Sequence, residues 1–353
     1  MRKRTLALVG ILILVNSLIF GEWVALYEGW EGHPRIGGGL IPTSLSIGLA
    51  HQWATRTELH ISGNAGYHER LLWQDPISGS IRSSNPLIYD HMDLNLGVGV
   101  MQRVGKHRVS ATIAMNFERP LDSIITDTVL ESGKVLPLDD WDPGTVYGQI
   151  DGWKFIASAG YHYDGLTDTR TSGQGIRGSL VASHTLGVGT WSIIGDAVGM
   201  MTVYEQKDEG RNLFSIVLAD KLIATYVFGS TITLTEQERT SFGSKIRGFG
   251  TFQYPTSFSI ANQFDIRING PEAIYKGIFP RLDLFVDVGY GIGYVGNSTV
   301  WADGFLASAG GSLFFTLGPV MDFGYQMAYL LAGDNPEYPG VKMVGQLVAH
   351  LSY

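Results

Sequence analysis

The chain has 353 residues, a formal net charge of -8 and no cysteine, with only 16% charged residues beside 44% hydrophobic ones and 46 glycines. Soluble domains carry about 25% charged residues; so low a charge suggests that much of this surface does not face water, and so acidic a chain argues against a nucleic-acid partner, which would favour a basic face. The length would allow two or three domains, but large all-β barrels run this long as one. The lack of cysteine rules out disulfides without fixing a redox compartment.

The N-terminus begins MRKR and continues as TLALVGILILVNSLIF, an apolar run that ends near Gly21. A basic start and a short apolar core predict a secretory signal peptide over residues 1–21, leaving 22–353 as one barrel domain. Gly21 suits the last position before cleavage, whereas Ile19 is larger than the residue expected there, and an uncleaved anchor helix is the alternative. With no cysteine after the run, a lipid-modified N-terminus is not expected. Losing Arg2, Lys3 and Arg4 would take the net charge from -8 to about -11. No later run reaches the roughly 18 apolar residues of a helical span. An exported chain of this kind is either a soluble envelope β-protein or a transmembrane β-barrel.

Alternating runs recur along the chain near 43–53, 56–71, 88–104, 108–118, 149–164, 176–187 and 190–204. They continue near 212–218, 222–235, 257–269, 281–294, 303–316, 320–331 and 341–353. In SFSIANQFDIRI, Phe258, Ile260, Phe264, Ile266 and Ile268 share one face, and Ser259, Gln263, Asp265 and Arg267 the other. Strands in globular proteins average five or six residues, whereas membrane strands need roughly nine to eleven. The lengths therefore predict an all-β fold, a transmembrane antiparallel barrel with an apolar outside and a polar lumen.

Short links at Thr55, 105–107, 187–190, 219–221 and 318–319 alternate with longer ones at 73–87, 165–175, 205–211, 236–256, 295–302 and 332–340. Barrels of the bacterial outer membrane place short turns on the periplasmic side and long loops outside. Counted back from the C-terminus, that rule holds to about residue 149, with 270–280 as a long link on the short side. Beyond it, one further strand is required inside 119–148 and another before Thr43, which gives about sixteen. Trp23, Trp30, Trp53, Trp73, Trp153 and Trp191 lie near strand ends, as interfacial girdles do.

Four features of the C-terminal third carry a family resemblance. Ile246-Arg247-Gly248-Phe249 stands in a long link and is followed by five strands. Phe285-Val286-Asp287-Val288-Gly289 follows two strands later, GPVMDFGY spans Gly318 to Tyr325, and the chain ends on the alternating Leu347, Ala349, Leu351 and aromatic Tyr353. In order and spacing these resemble the bacterial surface antigen superfamily, the barrels of BamA- and TamA-like outer-membrane assembly factors. Such barrels carry a [VI]RG[FY] signature on an external loop folded into the lumen, an F-x-D-x-G strand, and a terminal aromatic that serves as a targeting signal. Residues 244–353 carry the likeness; the rest matches as a generic barrel.

The resemblance implies that Arg247 lies inside the lumen. A desolvated guanidinium there needs a carboxylate in bidentate geometry. Asp287 shares the lumen face with Asp283, Phe285 and Gly289, and Asp265 faces inward on the neighbouring strand, so Arg247 is expected to reach Asp287, Asp265 or both. Gly248 would allow close backbone approach and Phe249 would pack on wall glycines such as Gly289.

Catalytic signatures are absent: no G-x-S-x-G or H-E-x-x-H occurs. His60 and His68 are eight residues apart, about 26 Å at strand rise, too far to share a metal. His162 and Asp164 near the outer rim, and His184 beside Ser183, read as polar strand ends. Asp139, Asp140 and Asp142 could offer oxygens to calcium, and read more simply as a solvated loop. GYGIGYVG is a glycine-aromatic membrane strand, because no helix follows it. The chain is thus expected to be non-catalytic and to need no cofactor or metal.

The resemblance implies insertion or transport of proteins at the bacterial outer membrane through a seam between the first and last strands, near 36–50 and 343–353. It implies outer-membrane lipid and unfolded client proteins as partners. Only about twenty residues separate the signal from the first strand, so a separate periplasmic POTRA-type or chaperone subunit would have to supply client capture. The alternative is a passive pore or structural protein that keeps the barrel without insertase activity.

Overall fold

The computed structural model describes residues 24–27, 30–38, 42–53, 56–72, 87–121, 152–168, 171–187, 189–208, 211–229, 241–250, 254, 256–271, 278–294, 304–317, 321–335 and 340–351. The predicted signal segment, Trp23, Trp73, the acidic run at 139–142 and Tyr353 lie outside them, as do the side chains of Trp30 and His68.

Every strand belongs to one antiparallel sheet. Its first half runs β1 (Val24–Tyr27), β2 (Trp30–Gly38), β3 (Pro42–Gln52), β4 (Thr57–Leu72), β5 (Leu87–Val104), β6 (His107–Leu121) and β7 (Gly152–Asp164). The two-residue β8 (Thr167–Asp168) only pairs with β9 (Gly173–Leu186), which lies directly against β7. There follow β10 (Thr190–Asp208), β11 (Arg211–Gly229), β12 (Thr256–Asn269), β13 (Ile278–Tyr294), β14 (Gly304–Leu317), β15 (Met321–Ala332) and β16 (Met343–Leu351). Fourteen of these strands have nine residues or more. Among the described residues the ladder path ends at β1 and β16.

The period-2 alternation decides which face is which. On β13, Asp283, Phe285, Asp287 and Gly289 are buried, while Leu282, Leu284, Val286 and Tyr290 are exposed. On β15, Tyr325, Met327, Tyr329 and Leu331 are exposed against buried Gln326, Ala328 and Leu330. Exposed large apolar side chains continue around the sheet, as the lipid-facing side of a transmembrane barrel requires.

Two expectations about connectivity are corrected. Residues 212–218 and 222–235 are not two strands: β11 runs unbroken through Ala219, Asp220 and Lys221, paired residue by residue with β10 and β12. The polar Asp220 and Lys221 look like a turn in sequence, but alternation sends their side chains to opposite faces. The expected long link at 205–211 is a tight hairpin in which Asp208 pairs with Arg211. Removing one strand there inverts every strand before it, so no extra strand is needed between β6 and β7, which pair directly. Most of 119–148 lies outside the described residues, and residues 24–38 hold two strands, β1 and β2.

The strand directions then sort the links by barrel end. The loop end carries 73–86, 122–151, 230–255, 295–303 and 333–342, together with the short links at 39–41 and 187–189. The turn end carries 53–56, 105–106, 165–172, 209–210, 270–277 and 318–320. Consequently Asp164 lies at the turn end, not the outer rim, where Arg108 donates to it at 3.0 Å. His184 is an outward girdle residue stacked on Trp191 at 4.2 Å. The N-terminal edge of the path is β1 with β2 beside it, rather than 36–50.

Candidate functional site

The link between β11 and β12 turns back against the inward faces of β12 to β15. Its base is closed by the Phe242 amide donating to the Tyr254 carbonyl at 2.9 Å. Between them Gly243–Lys245 form one 3-10 turn, and the Phe249 amide reaches the Ile246 carbonyl at 3.2 Å. This compact fold satisfies loop backbone groups that the lumen wall could not reach.

Arg247 is the centre of the contact. Its backbone N–H and its Nε both donate to Asp287 Oδ2 at 2.8 Å, and Nη2 donates to Asp287 Oδ1 at 2.5 Å. Nη1 donates to Asp265 Oδ1 at 2.6 Å. Its guanidinium carbon lies 3.8 Å from the centre of the Phe285 ring. Asp287 has no solvent exposure and Phe285 keeps 3%. One arginine thus joins two strands, with a fork on one carboxylate and a cation–π face beneath it. Burial opposes the charge on Arg247, but hydrogen bonding and charge from Asp287, then Asp265, outweigh it and raise its pKa.

Gly248 has φ +92°, and a Cβ there would come within 2.8 Å of Leu330 and 2.9 Å of Ala328, so both conformation and space require glycine. Ile246 is buried among Phe242, Leu306 and Leu330. Phe249 does not pack on Gly289. It lies against Tyr254 and Gly333, with ring centroids 5.9 Å apart in the aromatic pair. The ring over Gly289 is Phe242, which also covers Gly291; a Cβ on Gly289 would meet it at 2.6 Å. The reason is reach: Phe249 follows Gly248, whose left-handed turn directs the chain toward β14 and β15.

Phe242 and Lys245 are the residues that sequence reasoning missed. Phe242 is fully buried four residues before Ile246, within an uninformative polar stretch. Lys245 Nζ donates to Ser259 Oγ at 2.7 Å, and Gln263 Nε2 donates to the Lys245 carbonyl at 2.8 Å. Burial pushes the Lys245 ammonium down to about 8. A lysine directly before the arginine motif was the one available signal.

The β15–β16 link holds the far side of the loop. Asn335 Nδ2 donates to the Gly248 carbonyl at 2.8 Å, the Tyr254 hydroxyl donates to the Asp334 carbonyl, and Lys342 pairs with Asp334 at 2.8 Å. Burial, then the Asp334 charge, pushes the Tyr254 phenol up to about 12, against the opposing hydrogen bond to the Asp334 backbone. A cleft of about 420 Å³ opens between Gly248–Gly250 and the inner face of β16. Of the residues expected to form a C-terminal targeting signal, Leu347 is 87% exposed on the outward face of β16, and Ala349 and Leu351 occupy its ladder. No group of three or more potential metal ligands occurs among the described residues.

No family model matches the chain, and no curated protein does. Solved structures do. The chain is similar to BamA from Haemophilus ducreyi lacking POTRA domains 1–3, at TM-score 0.53 and 13% identity over 91% of this chain and 69% of that one. It is also similar to CdiB from Acinetobacter baumannii, at TM-score 0.52 and 11% identity over 91% of this chain. It spans about half the length of CdiB, 51%. At these identities the likeness shows the fold, a BamA-like antiparallel barrel.

Proposed function

We propose that this protein is a non-catalytic bacterial outer-membrane barrel of the surface antigen superfamily that assists insertion or transport of other proteins across or into that membrane. The observation that carries this reading is the Arg247 fork on Asp287 and Asp265, made by a loop folded into the barrel. A passive pore does not need one wall braced by a buried ion pair. A barrel that must keep one wall ordered beside an edge strand does, since unpaired strand edges are costly in lipid and can exchange partners.

The loop braces β12 to β15 on one side and reaches the inner face of β16 on the other, through Val344 packed on the Phe242–Leu330 cluster. In this reading β16 is the mobile margin, Arg247 fixes the stationary wall, and the partners are unfolded outer-membrane or secreted clients with a separate POTRA-type or chaperone subunit. The likeness to BamA and CdiB supports it at the level of fold.

The test is client folding in liposomes, followed by the heat-modifiable gel shift of an unrelated unfolded barrel. Acceleration by the wild-type protein, with and without a candidate POTRA-type subunit, and its loss in Arg247→Ala support the reading. Steady ohmic conductance with no acceleration under either condition replaces it with a pore.

A further inference from the structure

The outward face of β11 and β12 carries a feature the lumen loop does not explain. Asp220 is exposed on the lipid side, and Asn262 Nδ2 donates to its Oδ1 at 2.7 Å. Depth can be read from the aromatic pairs. Tyr226 stacks near Phe228 and Phe258 toward the loop end, and Phe214 meets Tyr204 toward the turn end. Asp220 is six residues from each of Tyr226 and Phe214, about 20 Å of strand or about 15 Å along the membrane normal at a tilt of about 40°. Those aromatics match the two interfacial girdles, so Asp220 sits near the bilayer midplane, where a carboxylate facing hydrocarbon is expensive and marks a functional contact.

The surroundings are shaped for an approach. Gly199 is the β10 residue opposite Asp220, and nothing lies within 4 Å of where its Cβ would be. A hollow of about 370 Å³ opens there, lined by Gln174, Met201, Leu218, Asp220 and Phe264. Ala197 and Gly178 pair beside it, so the wall is low around the polar pair.

We infer that this face is an interface between two copies of the chain in the membrane. A partner for Asp220 must present a hydrogen-bond donor at mid-bilayer, and a second copy inserted in the same orientation does so by symmetry. Each copy offers an acceptor, the free Asp220 oxygen, and a donor, the second N–H of Asn262. A two-fold axis along the membrane normal sets donor against acceptor twice, at matched depth, as an isologous contact. The hollow at Gly199 lets the two walls close on one another. This rests on membrane embedding and not on the loop's role.

Because the chain has no cysteine, one introduced residue reports the contact. Leu222→Cys lies in the patch, paired with Asn262, and Leu284→Cys lies on the outward face of β13. In liposomes at high lipid dilution, oxidation is expected to give a species of twice the chain mass with Leu222→Cys and none with Leu284→Cys. Adding Asp220→Leu and Asn262→Leu is expected to lower that yield at least tenfold while the heat-modifiable shift of the folded barrel persists. Gly199→Leu, which fills the hollow and leaves the polar pair in place, is expected to do the same and decides the matter if the double variant does not fold. Equal yields at 222 and 284, an unchanged yield in the folded variants, or a crosslink in native membranes to a different protein in place of the dimer overturns the proposal.

Discussion

Asp287 and Asp220 lie on nearby strands and face opposite ways, and their surroundings differ completely. Inside, Asp287 has no exposure and takes three hydrogen bonds from one arginine of an inserted loop. Outside, Asp220 is exposed and receives one amide from Asn262. The inner face is a site that the chain completes for itself, because a 26-residue link can fold back to supply a cation. Among the described residues no other segment covers Asp220 on the outer face, and in the inference above a second copy completes it.

The comparison can be broken most sharply at the inner acid. Arg247→Ala leaves Asp287 buried without its counter-charge and is expected to lower barrel stability by about 3–5 kcal/mol, and Asp287→Leu, which leaves Arg247 with Asp265 alone, by somewhat less. The urea unfolding midpoint in lipid measures it, and the double variant should lose less than the two singles combined. Additive losses would show that the two groups do not act as a pair.

Phe242→Ala removes the ring covering Gly289 and Gly291 and should cost about 3–5 kcal/mol through the cavity it leaves. If protease access to the loop and the unfolding midpoint both stay at wild-type values, the ring is not what seats the loop.

The pH dependence of the midpoint tests Lys245 and Tyr254. Lys245 is lowered from 10.5 to about 8, so between those values the unfolded chain holds more protons and stability rises with pH. The whole shift is worth on the order of 3 kcal/mol. Tyr254 is raised from 10.0 to about 12, so its contribution is complete below pH 10 and is lost from there to about 12. A rise from about pH 8 that levels near pH 10 and turns into a loss toward pH 12 is expected. Lys245→Met should abolish the rise, and Tyr254→Phe the opposing loss.

The smallest effect is expected outside. Asp220→Leu should leave the midpoint of the single barrel within about 1 kcal/mol of wild type or above it, since it removes a charge from the lipid face. A loss as large as that of Asp287→Leu would mean that Asp220 is structural in the isolated chain, and the contrast between the two faces would disappear.

Much of the fold was legible because alternation is a local property. Strand by strand, Phe258, Asp265, Phe285 and Asp287 take the faces that period 2 assigns them, and Arg247 meets the two carboxylates that share the lumen face. The break placed at 219–221 failed for a reason equally local: the charged pair Asp220-Lys221 in a strand has the composition of a turn, and only pairing with Phe264, Gln263 and Gly199 shows that the strand continues. That single misreading propagated into strand directions, a surplus strand and the end at which Asp164 lies.

The sequence by itself determined the fold class and the two faces of each strand, because these follow from side-chain period, while the inward placement of the arginine motif was what its resemblance to the surface antigen barrels implied. Only the tertiary structure decided which ring covers Gly289, that Lys245 is buried against Ser259, that the β15–β16 link clasps Gly248, and that Asp220 and Asn262 meet on the lipid side. Those contacts join residues 14 to 87 positions apart, and distance along the chain carries no record of them until the sheet sets its register.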